Sequence, residues 1–234
     1  MNRKPFQFKQ FSIFQDQTAM KVGTDGVLLG AWANVFGQNV LDIGTGTGLI
    51  SLMIAQRFPE ANIDALEIDS DAFLQAEENF SNSKFNHRLT LFHTSLQDYN
   101  SVKKYDVIVS NPPFFTVNDL VSFDSRKQAR QQETLTFTDL ISKTSQLLDQ
   151  NGLASFIIPY DQMDEFCTIS LENELKLGRV VYIKGNEQSA VKRVLLEFSF
   201  QEKQLQESHL IIELGRHQYT PDYINLTKEF YLKM

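Results

Sequence analysis

The segment with the clearest chemical character directly follows the apolar run 105–110 and consists of Asn111, Pro112, Pro113 and Phe114. Prolines donate no backbone hydrogen bond and rarely lie inside a sheet, so this pair ends a predicted strand and leaves carbonyl oxygens free to accept. Asn111 adds a side-chain carbonyl, and Phe114 adds a flat apolar face. The segment therefore suits a planar group that carries an NH2, such as the exocyclic amine of a nucleobase.

A second candidate site lies at an earlier predicted strand-to-helix turn, which contains Gly44, Gly46 and Gly48. Glycines permit a ligand to approach the backbone closely, although such a turn can also serve packing alone. The spacing Gly-x-Gly-x-Gly departs from the Gly-x-Gly-x-x-Gly pattern of dinucleotide pyrophosphate sites. Asp42, just before the turn, repels a phosphate but attracts or orients an ammonium group. The pattern favours a charged ligand without phosphates.

Two acidic residues after the next predicted strands extend this site. Glu67, at the end of the second strand, is placed to accept both hydroxyls of a ribose, and Asp98, after the third, to accept from an adenine amine. A solvated strand end is the alternative for Glu67, and a helix cap is the alternative for Asp98. The carboxyl ends of parallel strands share one side of a sheet, so these groups are expected to lie together and to bind one ligand. An adenosine ligand without phosphates fits all of them, and S-adenosylmethionine is the obvious candidate.

The elements that position these groups alternate as in a parallel α/β sheet. The predicted strands are 40–43, 63–67, 89–93, 105–110, 153–158, 179–183, 193–200 and 210–214, the last two forming an antiparallel hairpin through 201–208. The predicted helices are 49–57, 71–80 and 136–148, with further helices beginning at Thr24 and after Thr220. Expected N-caps are Thr24, Ser70 and Thr220, and Asn151-Gly152 is the expected stop of the third helix. For the phenylalanines between residues 6 and 14, a small hairpin, a substrate platform and ordinary packing are all compatible with the sequence, and packing is favoured.

These elements predict an α/β fold, a Rossmann-like, doubly wound, mainly parallel sheet that ends in an antiparallel hairpin. We expect a single domain over residues 1–234, with 1–36 as an extension packed on it and 219–234 as a C-terminal helix. At 234 residues, 42% of them hydrophobic, the chain is long enough for a large core.

Composition limits the partners and the compartment. The net charge of −7 argues against nucleic-acid binding through bulk charge, so any RNA contact must be a local basic patch. Cys167 is the only cysteine, which excludes an internal disulfide, and the four histidines are scattered, so no metal site is expected. The basic N-terminus lacks a signal-peptide core, and no apolar run approaches ~18 residues. We expect a soluble cytoplasmic protein with no membrane contact.

The Asn-Pro-Pro segment is suited to methyl transfer onto an amine. An exocyclic base amine is a poor nucleophile because its lone pair is conjugated with the ring. Hydrogen bonds to Asn111 and to the Pro112 carbonyl would stabilise the positive charge that develops during attack. Positioning supplies the rest without a strong base, and we expect the target base to be swung out and stacked on Phe114.

Several motifs along nearly the whole chain carry a family resemblance. They are residues 8–11, 20–32 (Met-Lys-Val-Gly-Thr-Asp-Gly-Val-Leu-Leu-Gly-Ala-Trp), 41–44, 110–114, 128–130, 193–196 and 230–232. In these the chain is similar to the class I S-adenosylmethionine-dependent methyltransferases and resembles the bacterial family that N6-methylates adenine 37 of valine tRNA. Phe114 keeps a stacking face but lacks the hydroxyl of the tyrosine that is frequent in this family.

The resemblance implies further contacts. Lys21, Thr24 and Asp25 would border the methionine end of the cofactor, although helix capping is an equal alternative for Thr24. Ile68, Gln97 and Asn111 complete the candidate cofactor contacts. Candidates for tRNA contact are Arg126, Lys127, Arg130, Lys184, Lys192 and Arg193, of which Arg130 and Arg193 are favoured, although such charges more often mark a solvated face. No obligate protein partner is evident.

Other functions remain compatible with the same residues. Asn-Pro-Pro signatures also serve methylation of rRNA guanine N2 and of protein glutamine. A noncatalytic RNA-binding protein on the same fold is a second alternative, and a nicotinamide-dependent oxidoreductase is a third, disfavoured by the glycine spacing.

Overall fold

The computed structural model of the protein describes residues 4–18, 21–113 and 135–233. The strands are β1 (Phe6–Gln7), β2 (Ser12–Ile13), β3 (Asn39–Ile43), β4 (Asn62–Glu67), β5 (Leu89–His93), β6 (Tyr105–Ser110), β7 (Leu148–Pro159), β8 (Lys176–Asn186), β9 (Val191–Ser199), β10 (Gln206–Gly215) and β11 (Gln218–Tyr219). The helices are α1 (Thr24–Trp32), α2 (Leu49–Arg57), α3 (Ser70–Ser81), α4 (Phe137–Leu147), α5 (Met163–Glu172) and α6 (Pro221–Thr227). Strands β1 and β2 pair with each other, and the rest form one sheet in the order β11-β10-β8-β9-β7-β6-β3-β4-β5.

Most of the large sheet is parallel, as predicted. Strands β5, β4, β3, β6 and β7 pair in parallel, whereas β9 and β11 run the opposite way. The parallel strands therefore all end on one side of the sheet, called the carboxyl edge below. The predicted fold class, a Rossmann-like mainly parallel sheet with antiparallel strands at its end, is confirmed.

Both faces of the sheet are covered, because parallel strands are normally buried on both sides. In β3, Val40 packs in the core that contains α1 and α2, whereas Leu41 packs in a second core with Leu140 of α4 and Phe166 of α5. Side chains alternate along a strand, so Asp42 lies on the same face as Val40. This alternation directs the Asp42 carboxylate beneath α2.

The prediction that residues 193–200 and 210–214 pair with each other as a hairpin is wrong. Strand β9 pairs antiparallel with both β7 and β8, so both of its sides are occupied. Strand β10 therefore adds to the free side of β8, in parallel. The connecting residues 201–205 cross the start of β8, where Glu202 pairs with Lys176 at 3.4 Å. The antiparallel hairpin is β8–β9.

Two predicted N-caps lie one residue too late. Asp69, not Ser70, caps α3, and its carboxylate accepts from the backbone N–H of Ala72 at 2.9 Å. Gly23, not Thr24, precedes α1, and no side chain caps that helix. Aspartate and serine cap helices about equally well, so two adjacent candidates cannot be ranked by residue type.

Helix α5, between β7 and β8, is not predicted by the sequence patterns. Helix α5 fully buries only Phe166 and Ser170, so its apolar periodicity is sparse. The predicted helix stop at Asn151 and Gly152 is also wrong. Helix α4 ends at Leu147, and both residues fall within β7, at an irregularity in its pairing with β6.

The chain ends pack against each other. Phe8 and Phe11 are buried with their rings stacked at 4.8 Å, and the Phe8 ring lies 5.6 Å from that of Tyr231. The predicted cap at Thr220 is confirmed, since its hydroxyl accepts from the backbone N–H of Tyr223. The N-terminal phenylalanines thus serve packing next to a small hairpin. No helix in the described ranges has both the length and the apolar composition that crossing a bilayer requires.

Candidate functional site

The carboxyl edge brings the two main candidate segments side by side. Ile43 of β3 pairs with Ser110 of β6, and the Ser110 hydroxyl donates to the Ile43 carbonyl at 2.8 Å. The residues that follow are Gly44 and Asn111. Because paired strands lie about 4.8 Å apart, the glycine turn and the Asn-Pro-Pro segment are direct neighbours.

The first two glycines of the turn border open space. Gly44 and Gly46 have φ angles of +70° and +59°, and a Cβ built on either would meet nothing within 4 Å. The backbone N–H of Gly44 donates to the Leu66 carbonyl at 3.0 Å, which fixes the turn against β4. The positive φ angles explain why glycine is favoured here. The open space in front of them is where a ligand can reach the backbone.

The third glycine has a different role. Gly48 also has a positive φ, +82°, but a Cβ there would lie 2.4 Å from the Phe80 ring. Phe80 is buried and projects from α3 into the first core. Gly48 was a predicted cofactor contact, and the structure places it at a close packing contact between the start of α2 and α3.

Asp42 is fully buried under the turn. The hydroxyls of Thr45 and Ser51 each donate to its Oδ2 atom at 2.7 Å. Its Oδ1 atom is buried and has no hydrogen-bond partner among the described residues. Burial raises the pKa of Asp42 to about 6, even though the two hydroxyls favour the charged form. A buried acceptor without a donor calls for a ligand group or another explanation.

Glu67 is buried at the end of β4 and is held by three backbone donors. Its Oε2 atom accepts from Gly46 N–H at 2.8 Å, and its Oε1 atom accepts from the N–H groups of Ile68 and Asp69 at 2.9 Å each. A carboxylate has about four acceptor positions, so few remain for a ligand. The expectation that Glu67 accepts two ribose hydroxyls therefore requires that it share acceptor positions with the backbone.

Asn111 presents a second orphaned acceptor. Its Oδ1 atom is buried and has no hydrogen-bond partner among the described residues. Pro112 is buried and Pro113 is exposed, which matches a strand end that turns toward solvent. Phe114, the predicted stacking residue, lies outside the described residues.

The predicted adenine contacts lie further along the same edge and are exposed. Asp98 accepts from the Ser95 hydroxyl at 2.7 Å, and its backbone N–H donates back to that oxygen at 3.0 Å. This is a local turn in which the carboxylate remains accessible. Ile68 is 47% exposed, which is unusual for an isoleucine, and Gln97 is exposed as well.

Known proteins resemble the chain in sequence. A family model described as "Methyltransferase small domain" matches residues 16–181. A protein of Flavobacterium johnsoniae named tRNA1(Val) (adenine(37)-N6)-methyltransferase is 48% identical over 98% of this chain and 100% of its own length. A Vibrio campbellii protein of the same name is 41% identical over 99% of this chain and 97% of its own. The chain belongs to this methyltransferase family.

Solved structures agree on the fold. A predicted O-methyltransferase from Agrobacterium tumefaciens has a TM-score of 0.69, at 18% identity, over 88% of this chain and 96% of that one. The ribosomal protein L11 methylase from Lactobacillus delbrueckii has a TM-score of 0.53, at 22% identity, over 76% of this chain and 77% of that one. At these identities the likeness concerns the fold alone.

In this methyltransferase, the predicted contacts at the start of α1 are exposed or engaged elsewhere. Lys21 and Thr24 are exposed. Asp25 forms an ion pair with Arg193 of β9, with 2.8 Å between Oδ2 and Nε. The favoured RNA candidate Arg193 is thus already paired with a carboxylate, whereas Lys192 is exposed. Lys184 of β8 is half-buried. The other three candidates, Arg126, Lys127 and Arg130, lie outside the described residues.

One contributor to the site was not predicted. Asn79 of α3 is buried, and its amide group donates to the carbonyls of Thr47 and Phe14 at 2.8 and 2.9 Å and accepts from the Phe14 N–H at 2.8 Å. It therefore ties the N-terminal segment to the glycine turn. The sequence signal was a polar residue at a core position of α3, between Ala76 and Phe80.

The different surroundings of the two glycines predict different losses of unfolding free energy for Gly46→Ala and Gly48→Ala. Both variants place alanine at a positive φ, which costs about 1–2 kcal/mol. Only Gly48→Ala also drives a methyl group into the Phe80 ring. We expect the larger loss in unfolding free energy for Gly48→Ala, measured by urea denaturation, and a smaller-than-additive loss in Gly48→Ala/Phe80→Leu. Equal losses in the two single variants would contradict the assignment.

Proposed function

We propose that the protein transfers a methyl group from S-adenosylmethionine to N6 of adenine 37 in valine tRNA. The observation that carries the proposal is a pair of buried acceptors, Asp42 Oδ1 and Asn111 Oδ1, which have no partner among the described residues. Asp42 lies near the end of β3, and Asn111 directly follows the adjacent strand β6. The Asp42 carboxylate suits a cationic ligand, and the Asn111 amide oxygen suits a neutral amine. Methyl transfer from a charged donor to an amine uses both acceptors, and relatives that match nearly the full chain bear the corresponding name.

The residues at the carboxyl edge fit an adenosine-based methyl donor. When bound, S-adenosylmethionine supplies an electrophilic methyl group on a sulfonium centre. Gly44 and Gly46 leave open space for close approach, and Asp42 offers a carboxylate to the ammonium group. Glu67 would accept from the ribose and Asp98 from the adenine amine. Exposed Ile68 offers an apolar surface for the adenine ring.

Asn111 and Pro112 would act on the amine of the target base. The Asn111 Oδ1 atom would accept a hydrogen bond from one N–H of the amine, and the Pro112 carbonyl would accept one from the other N–H. This arrangement favours a pyramidal nitrogen whose lone pair faces the methyl group. Both acceptors also stabilise the positive charge that develops on nitrogen. Phe114 would stack on the flipped base, and water can take the proton that the methylated amine releases.

Binding of tRNA to a chain with a net charge of −7 calls for local contacts. Lys192 is exposed and available to a phosphate, and Arg126 and Arg130 stay candidates. Arg193 is a weaker candidate because Asp25 already compensates its charge. We propose that the reaction takes place in the cytoplasm. A single domain over residues 1–234 would carry it out, without an obligate protein partner.

Asn111→Ala tests the amine-binding role. We expect the rate of methyl transfer to fall about 10²–10³-fold, as when a single stabilising hydrogen-bond partner of a transition state is removed. The affinity for S-adenosylmethionine, measured by calorimetry, should change only a few-fold. Asn62→Ala is the matched control, because Asn62 is an exposed asparagine at the opposite edge of the sheet, at the start of β4, two strands from β6. Retained transfer in Asn111→Ala would remove this mechanism.

Asp42 predicts a pH dependence of cofactor binding. Its pKa of about 6 in the free protein means that it is protonated below that pH and must lose the proton to attract a cation. The affinity for S-adenosylmethionine should therefore rise from pH 5 and level off above pH 7, with a loss of about tenfold at pH 5. Calorimetry on Asp42→Asn should give a weaker affinity without this rise. The same pH profile in both proteins would contradict the assignment.

The identity of the product tests the function as a whole. Purified protein is incubated with methyl-labelled cofactor and total tRNA from a strain that lacks the gene. We expect label in N6-methyladenosine at position 37 of valine tRNA. Label in guanine or in protein glutamine would favour one of the alternative acceptors, and binding of tRNA without any transfer would favour the noncatalytic alternative.

A further inference from the structure

Three aromatic rings form a row beyond the described site. The ring of Tyr182 on β8 stacks on that of His209 on β10, with 5.1 Å between centroids and 26° between planes. On its other side it meets the ring of Tyr160, which follows β7, edge-on at 6.0 Å. The Tyr182 hydroxyl donates to the Glu207 carboxylate at 3.2 Å, which fixes the orientation of the central ring. We call Tyr160, Tyr182 and His209 the aromatic row.

The row lies toward the carboxyl edge. Tyr160 directly follows Pro159, the last residue of β7, and Pro159 pairs with Arg193. Arg193 pairs in turn with Ile183, the residue after Tyr182. Strands β7, β9, β8 and β10 therefore bring all three rings near the side of the sheet on which β6 ends at the Asn-Pro-Pro segment.

The distance to the site suits neighbouring nucleotides. Strand β8 is three strands from β6, and β10 is four, which at about 4.8 Å per strand gives roughly 14–19 Å. Tyr160 is nearer, since β7 is the direct neighbour of β6. An unpaired strand that runs along a basic groove can place successive bases on aromatic rings at such distances, so the row would meet unpaired bases close to the methylated one.

Core packing does not account for the position of these three rings, because two of them are exposed. Tyr160 is 46% exposed, and His209 is exposed too, whereas Tyr182 is the one ring of the three that packs against the second core. Nearby on the strands, Lys184 and Lys192 have no carboxylate partner among the described ion pairs. Exposed rings beside cations are the combination with which proteins bind single-stranded nucleic acids.

We propose that the aromatic row is a stacking surface for unpaired bases next to the methylated adenosine. The proposal rests on the function proposed above and names the part of the tRNA that it concerns, the anticodon loop that contains nucleotide 37. A loop with unpaired bases fits this surface because its bases can splay out and stack on aromatic rings, whereas paired bases cannot. Continuity with the methyl-transfer site favours the same RNA over a separate protein partner.

Equilibrium binding of a valine tRNA transcript, followed by fluorescence anisotropy, tests the surface. We expect the dissociation constant to rise about tenfold for Tyr160→Ala and for His209→Ala, as when one base–aromatic stack is lost. Tyr160→Phe keeps the ring and should bind as the wild type does. Phe36→Ala is the matched control, because Phe36 is 42% exposed and lies just before β3, at the opposite side of the sheet. The affinity for S-adenosylmethionine should stay within twofold in every variant.

A second RNA shows whether the bases themselves are bound. In a transcript with abasic nucleotides at the unpaired positions on both sides of adenine 37, we expect the wild type and Tyr160→Ala to bind equally. Unchanged binding of the intact transcript by both alanine variants would overturn the proposal, as would a tenfold loss that persists with the abasic transcript. If the wild type methylates the tRNA and the ring variants bind normally, only the stacking surface is wrong. If the wild type neither binds nor methylates the tRNA, both proposals fail.

Discussion

The parallel pairing of β3 with β4 on one side and β6 on the other is the constraint on which the site depends. Ile43 pairs with Leu66 and with Ser110, so the residues after these three lie together at the carboxyl edge. A slip of one residue in either pairing would turn every side chain to the other face. It would move Asp42 out of reach of α2 and separate Asn111 from the glycine turn. The register is held by apolar residues on both faces, so the chemistry of the site is specified by core packing.

The burial of Asp42 links stability to ligand binding. A pKa of about 6, against an ordinary value of 3.8, corresponds to about 3 kcal/mol of unfavourable free energy for the charged carboxylate in the free protein. The hydroxyls of Thr45 and Ser51 reduce this cost but satisfy only one oxygen. A cation placed at the other oxygen removes part of the remaining cost. At the proposed cofactor site, the ammonium group of the ligand would relieve part of this cost, and that relief would contribute to affinity.

The sequence predicts the sheet well because its central strands are short apolar runs between strong helix signals. It fails where the deciding contacts are distant in the chain. The antiparallel partner of β9 depends on β7 already occupying one side, which residues 193–214 do not reveal. Gly46 and Gly48 look alike in the turn, and only the position of Phe80, on another helix, distinguishes a glycine that borders open space from one in a close packing contact. The hydrogen-bond partners of Asn79 are likewise distant from it in sequence, so a local sequence pattern cannot predict its role.

A net charge of −7 gives no long-range attraction for RNA, so binding of the proposed substrate cannot rely on it. Asp25 compensates part of the charge of Arg193 at the carboxyl edge. The ion pair instead fixes the start of α1 against β9, which stabilises the geometry of the edge rather than attracting phosphate. In the proposed complex, affinity would come from contacts that act at short range, namely stacking of bases on rings and hydrogen bonds to a base amine. Such contacts are specific for exposed bases, so the proposed mode of binding would favour unpaired over paired regions of RNA.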